Sequence, residues 1–200
     1  GVMVARLNIP PFIATLAMML IAKGLALVIS GTRPIYFTDA PGFTRISLGS
    51  VTGAIIPGFD IPNAVLIFFL MAIIGGLLLS RTIVGRYNFA IGSNEEATRL
   101  SGVNVRFWKV VIYTITGVFT GVAGVLMASR LNSAQPALGQ GYELEAIAAV
   151  VLGGTSLSGG KGTIVGTVIG ALIMSVLTNG LRILSVPQEW QTVVVGIVII

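Results

Sequence analysis

The chain has 200 residues, 54% of them hydrophobic and 10% charged, with a mean hydropathy of +0.97; soluble domains carry about 25% charge, so a surface made for water is excluded. It contains no cysteine and no histidine, which removes disulfides, thiol chemistry and the usual transition-metal ligands, and neither a metal nor a cofactor is expected. The net charge of +5 comes from basic residues spread singly along the chain, a pattern of membrane topology rather than of nucleic-acid binding, and the absence of period-2 alternation speaks against an outer-membrane barrel.

The expected class is therefore an all-α, polytopic transmembrane helix bundle, with residues 1–200 forming a single transmembrane domain. A helix needs about 20 residues to cross about 30 Å of hydrocarbon. The chain opens GVMVARLNIPPF, without an initiator Met, and closes on VVVGIVII within an apolar run, so both ends are expected to be cut ends.

The first span is predicted from about Pro10 to Ser30, its prolines in the first turn where a missing N–H costs least. Lys23 interrupts it, and either snorkels, packs between helices or faces a transport path. Residues 31–62 are rich in Gly and Pro and are expected to form a loop with a short interfacial helix. The second span covers about Pro62 to Leu79.

Residues 81–109 then carry Arg81, Arg86, Arg99, Arg106 and Lys109, whereas residues 31–62 carry only Arg33 and Arg45. The positive-inside rule places the richer segment in the cytoplasm. Within it, Ser93 or Asn94 can cap a short helix with Glu95 and Glu96 in its first turn and Ala97, Leu100 and Val103 recurring at spacings of three. So short a helix is marginal alone and needs something to dock against.

The third span is expected at Val110 to Ser129, with a GxxxG step at Gly117 and Gly121 that lets another helix approach closely. Arg130 to Gly141 should be an external loop. The helix that follows, YELEAIAAVVL, is too short to cross, and it is broken by GGTSLSGGKG, whose Gly153, Gly154, Gly159, Gly160 and Gly162 cannot continue a lipid-facing helix. That turn must lie against protein, in a cavity or at the cytoplasmic surface. It fails the Walker A pattern because Gly160, not Lys, follows Gly159. A fourth span is expected at about Thr163 to Leu184, with a second small-residue step at Gly166 and Gly170, and a last span begins at Trp190.

Glu143 and Glu145, two positions apart, point about 200° from each other on a helix and cannot form a catalytic pair on one face. They are either carboxylates that favour a helix start or groups at the mouth of a substrate path. Asn132 and Gln135, and more weakly Asn63, carry the same two readings.

EATRLSG, Glu96 to Gly102, resembles the EAA---G motif of ABC-importer permeases, with Glu96, Ala97 and Gly102 in register and Thr98 replacing the second Ala. Downstream the motif is met by Ile112 without its Leu-Pro. PPFIATLAMMLIAKGLAL at 10–27, GRYNFAIGSNEEATRLSGVNV at 85–105 and above all GYELEAIAAVVLGGTSLSGGKGTIVGTVIGALIM at 141–174 are similar to the ribose-type monosaccharide permeases. The resemblance implies a bacterial inner-membrane subunit, of which this chain would be the C-terminal three-fifths. It implies pairing with a second permease, most simply as a homodimer. ATPase subunits would dock beneath, and a periplasmic or lipid-anchored sugar-binding protein would deliver cargo above. Asn94, Glu95, Glu96, Ala97, Arg99, Leu100, Ser101 and Gly102 would form the coupling helix that the ATPase grips, and the permease would perform no covalent chemistry. Two other readings stand beside it: a secondary carrier or channel that needs no ATPase, with a broken-helix site in residues 142–184, and a purely structural assembly subunit.

Overall fold

The computed structural model describes all residues except Asn8, Pro41, Ile56, Pro57, Phe59 and Ile200; four of these fall in the expected 31–62 loop and a fifth at the expected cut end, which to that extent lie outside the described residues. Eleven helices and one two-stranded ribbon are present among the described residues. They divide into two compact units, residues 1–73 with 104–138 and residues 74–103 with 139–200.

The first unit holds α1 (Val2–Arg6), α2 (Pro11–Ser30), α3 (Arg45–Leu48), α4 (Val51–Ile55), the start of α5 (Asn63–Arg81) and α8 (Val105–Leu131), with α1 and α3 packed against α8. α2 begins at Pro11, where the missing amide costs no intrahelical bond, and ends on Gly31 in the left-handed region. The end of α8 is pinned by a buried hydroxyl. Ser129 Oγ donates to the Phe43 carbonyl at 2.7 Å and accepts the Ser47 amide at 3.0 Å, so a short helix in an irregular segment is tied to a long one. Beyond it, β1 (Ile35–Tyr36) pairs antiparallel with β2 (Ser133–Ala134), Ile35 opposite Ala134. The expected loop thus holds two short helices and a strand. Its strand was invisible to local pattern because a two-residue ribbon has no periodicity to detect.

Asn63 is structural. Its Nδ2 donates to the Arg45 carbonyl at 2.9 Å and its Oδ1 accepts the Val51 amide at 3.0 Å, so both ends of the amide lock α3 and α4 to the start of α5.

In the second unit, α5 ends at Arg81 and α6 (Ile83–Ser93) follows after one extended residue, Thr82. Gly85 is buried because its α-carbon lies against the Leu79 carbonyl, leaving no room for a side chain at this elbow. Next come α7 (Glu95–Leu100), α9 (Tyr142–Leu152), α10 (Ile164–Ile183) and α11 (Gln188–Ile199). α9 and α10 form a tight antiparallel hairpin. A β-carbon on Gly153 or Gly166 would strike the other's backbone, and one on Gly170 would strike the Ala149 carbonyl. The small-residue step at Gly166 and Gly170 is therefore used within the chain, as backbone-to-backbone packing. Ala148, Ala149 and Met174 are the buried centre, with Leu152, Ala171, Val195 and Val198 around them. By contrast Gly117, Gly121 and Gly124 on α8 meet nothing within 4 Å among the described residues. That face of α8 is open.

Four helices, α2, α5, α8 and α10, are long and apolar enough to cross a membrane. α2 buries only Ala14 and α5 buries none of its described residues, so their large apolar side chains are exposed as lipid-facing surfaces must be. α8 starts at Val105 rather than Val110, because Asn104 caps it by accepting the Phe107 amide at 3.1 Å. With α6, this makes most of residues 81–109 helical, where only one short helix had been expected.

Candidate functional site

The polar segment between α5 and α8 is built around α7. Asn94 leaves α6 in an extended conformation and accepts the Ala97 amide on Oδ1 at 2.9 Å, the expected cap. Glu95 and Glu96 occupy the first turn, where a carboxylate favours the helix dipole. Arg99 pairs with Glu96 at 3.0 Å, but both side chains are well exposed, so the pair adds little stability. Two hydroxyls tighten the single turn: Thr98 Oγ1 donates to the Asn94 carbonyl at 2.8 Å and Ser101 Oγ to the Ala97 carbonyl at 2.9 Å. Gly102, at φ +84°, follows the helix in the left-handed region. The helix ends at Leu100, two residues short of the expected Gly102.

The apolar row does not turn inward. Thr98 is the buried residue of α7, while Leu100 is 79% exposed and Ala97 is exposed. The Thr98 hydroxyl is satisfied by its own helix, so it can be buried at little cost, and this leaves Leu100 as an exposed apolar knob. Beside it, α6 and α7 enclose a shallow concavity of about 410 Å³ lined by Tyr87, Ala90, Ser93, Asn94, Ala97, Thr98, Ser101 and Val103.

The glycine-rich turn reaches the same place. Gly154, Gly159 and Gly160 have φ of +79°, +86° and +76°, and the turn closes on itself through Ser156 N–H to the Lys161 carbonyl at 3.0 Å. Its tip rests on the last turn of α6. A β-carbon on Gly159 would lie 2.6 Å from the Gly92 carbonyl oxygen, and one on Gly160 would lie 3.0 Å from the Ser93 β-carbon. Gly162 is crowded by Thr155, and Thr163 then caps α10 by accepting the Gly166 amide at 3.0 Å. The turn lies against protein, beside the junction that leads into α7. A small cavity of about 250 Å³, lined by Asn88, Phe89, Lys161 and Thr167 among others, remains between them.

The four candidate path residues divide between the two units, two in each. Asn132 ends α8 at φ +50°, with its Oδ1 buried and without a hydrogen-bond partner among the described residues, and Gln135 Nε2 donates to Ser133 Oγ at 3.3 Å. Both belong to the first unit, whereas Glu143 and Glu145 belong to the second. Glu143 Oε2 accepts the Gly141 amide at 3.1 Å and so serves the helix start. Glu145 points elsewhere, as its angular offset requires, and borders a cavity at the end of the α9–α10 hairpin away from the glycine turn. Sequence reasoning missed Gly92 as the seat of that turn, and the polar residues opposite Glu145. Among the described residues no group of His, Cys, Asp and Glu could hold a metal ion.

A family model described as "Branched-chain amino acid transport system / permease component" matches residues 1–200. The chain is 44% identical over 203 residues to the ribose import permease protein RbsC of Escherichia coli (strain K12), covering 100% of the chain and 61% of that protein. It is 46% identical over 201 residues to RbsC of Bacillus subtilis (strain 168), covering 100% and 60%, and 40% identical over 200 residues to the L-arabinose transport system permease protein AraH of Escherichia coli (strain K12), covering 100% and 58%. The chain thus spans about 60% of the length of these relatives. No solved structure matches it.

Proposed function

Because the chain belongs to the family of permease components of branched-chain amino acid transport systems, we propose that it is part of a permease subunit that carries a ribose-like monosaccharide into a bacterial cell, driven by separate ATPase subunits. The sugar follows from the ribose and L-arabinose permeases at 40–46% identity rather than from the amino acid in the family's description. In this reading residues 1–200 form one transmembrane permease domain in the inner membrane. A second permease copy and a sugar-binding protein complete the importer, and the permease does no chemistry of its own.

The observation that carries the proposal is α7, a short capped rod whose apolar knob, Leu100, is left uncovered among the described residues. An ATPase groove that holds Leu100 and the Glu96–Arg99 pair would move α7 on ATP-driven closure, provided the contact differs between the two states. From α7 the motion has two short routes. One runs through the Asn94 junction into α6, and the other through Gly92 into the glycine turn and the α9–α10 hairpin. Packed backbones with no side chains between them transmit a displacement instead of absorbing it.

The five Lys and Arg residues of 81–109 support a cytoplasmic side for α7, and in this reading the glycine turn, seated on Gly92 and Ser93, lies on that side too. α9, with 11 residues, extends only about 16 Å from there.

The test uses the absence of cysteine from these 200 residues. Glu96→Cys in the complete permease is cross-linked to a co-expressed ATPase subunit carrying a cysteine in its surface groove, and sugar uptake is measured with and without hydrolysable ATP. A cross-linked pair and ATP-dependent uptake are expected. Uptake that persists without any ATPase would overturn the importer reading in favour of an independent carrier.

A further inference from the structure

At the end of the second unit away from α7, three helix ends converge on one cavity of about 630 Å³, within the range of roughly 300–1,000 Å³ usual for small-molecule sites. The residues that face it follow helical spacing on each element. Thr178 and Arg182 are four apart on α10, Gln188, Gln191 and Thr192 recur at three and four on α11, and Glu145 comes from the first turn of α9. Polar side chains placed only to decorate helix ends would scatter around each axis. Here the polar stripes of three helices point into the same space, with Leu144 and Val195 forming an apolar wall.

The donor and acceptor inventory defines the ligand class. Thr178 Oγ1 donates to the Met174 carbonyl at 2.9 Å and Thr192 Oγ1 to the Gln188 carbonyl at 3.2 Å, so each hydroxyl spends its hydrogen on its own helix and keeps lone pairs for the cavity. Gln191 Nε2 donates to the Val186 carbonyl at 2.7 Å, leaving its own carbonyl oxygen as an acceptor. With the Glu145 carboxylate these make an acceptor-rich lining, and Arg182 and Gln188 supply donors. Glu145 and Arg182 share the cavity without an ion pair between them among the described residues. Their opposite charges cancel, which disfavours an anion or a cation, and one carboxylate without His or Cys is too few ligands for a metal. A neutral ligand rich in O–H donors, with a C–H face for Leu144 and Val195, satisfies all of these groups.

We propose that this cavity is a binding site for a neutral polyhydroxyl molecule of monosaccharide size, in which Glu145, Thr178, Gln191 and Thr192 accept hydroxyl hydrogens and Arg182 and Gln188 donate to ring or hydroxyl oxygens. Its place on the import path, in the outer half of the membrane, rests on the importer reading given above; the chemistry of the cavity does not.

The experiment has two arms. In the first, the complete permease with its ATPase and binding-protein partners is reconstituted in proteoliposomes, and uptake of labelled D-ribose is measured with unlabelled pentoses and hexoses as competitors. Thr192→Val and Gln191→Leu each remove one hydroxyl partner, and each should raise the KM about three- to tenfold and change the order of competitors. An unchanged KM and an unchanged order in both variants would overturn the site.

The second arm needs no ATPase. Thr192→Cys in the purified permease is labelled by a maleimide with and without D-ribose, and ribose should slow labelling at least about threefold while L-leucine does not. Equal rates with and without ribose overturn the site. Should the parent protein take up no sugar with ATP while ribose still protects the thiol, the importer reading falls and the site stands.

Discussion

Gly92 and Gly160 meet backbone to backbone: a β-carbon on Gly92 would lie 2.9 Å from the Gly160 nitrogen. This contact joins the segment that enters α7 to the turn that links α9 and α10, and it leaves no side chain to soften a push from one to the other.

Gly92→Ala should therefore separate the two elements. Backbone cannot yield as a flexible side chain does, so the substitution is expected to cost about 1–3 kcal/mol of local stability. ATP-dependent uptake should fall while the ATPase still binds the permease. Uptake in proteoliposomes alongside co-purification of the ATPase checks this, and full uptake in the variant would show that the contact carries no motion.

Asn94→Ala removes the cap of a helix only six residues long. The cost should be about 1 kcal/mol, while Asn94→Asp, which keeps an acceptor at the same place, should cost far less. Hydrogen exchange at the Ala97 amide reads it directly. Protection should fall in the alanine variant and survive in the aspartate variant.

Leu100→Asp is expected to leave stability within about 0.5 kcal/mol, because the side chain is exposed and touches no core. It should still weaken ATPase binding and transport together. Thermal unfolding of the permease in detergent and co-purification with the ATPase distinguish this from a folding defect, and unchanged binding would mean that the grip lies elsewhere on α7.

Two glycine pairs with the same spacing should behave in opposite ways. Gly170→Leu drives a side chain into the Ala149 carbonyl and should prevent the α9–α10 hairpin from closing, seen as lost expression or a large drop in melting temperature. Gly121→Leu meets only open space among the described residues and should leave the melting temperature of the isolated permease near that of the parent. A lower yield of assembled importer from the Gly121 variant alone would identify that face of α8 as a packing surface for another helix.

The spans were legible because each is a local property. Apolar length alone places α2, α5, α8 and α10 within a few residues, and the cap at Asn94 with Glu95 and Glu96 behind it marks the start of α7 without any tertiary information. Boundaries slipped where a cap outranked hydropathy, as at Asn104, which starts α8 five residues before the apolar run. Inward and outward faces were less legible. Spacing put Ala97, Leu100 and Val103 on one side of α7, but whether that side faces the protein depends on what α6 offers, and α6 receives Thr98 instead.

The residue order by itself determined a multi-helix apolar chain, the sidedness signal of its basic residues, a short capped rod and a glycine-rich break, because hydropathy, charge and capping act over a few neighbouring positions. Only the tertiary structure decided which small residues are used as contacts and which stand open, that the glycine turn sits on Gly92, and that Glu145 shares a cavity with Arg182 and Gln191 while Glu143 serves its own helix. Those pairings join residues far apart in the chain. The energy that selects them is the fit of one backbone or side chain against another, and no periodicity within a single helix encodes its partner.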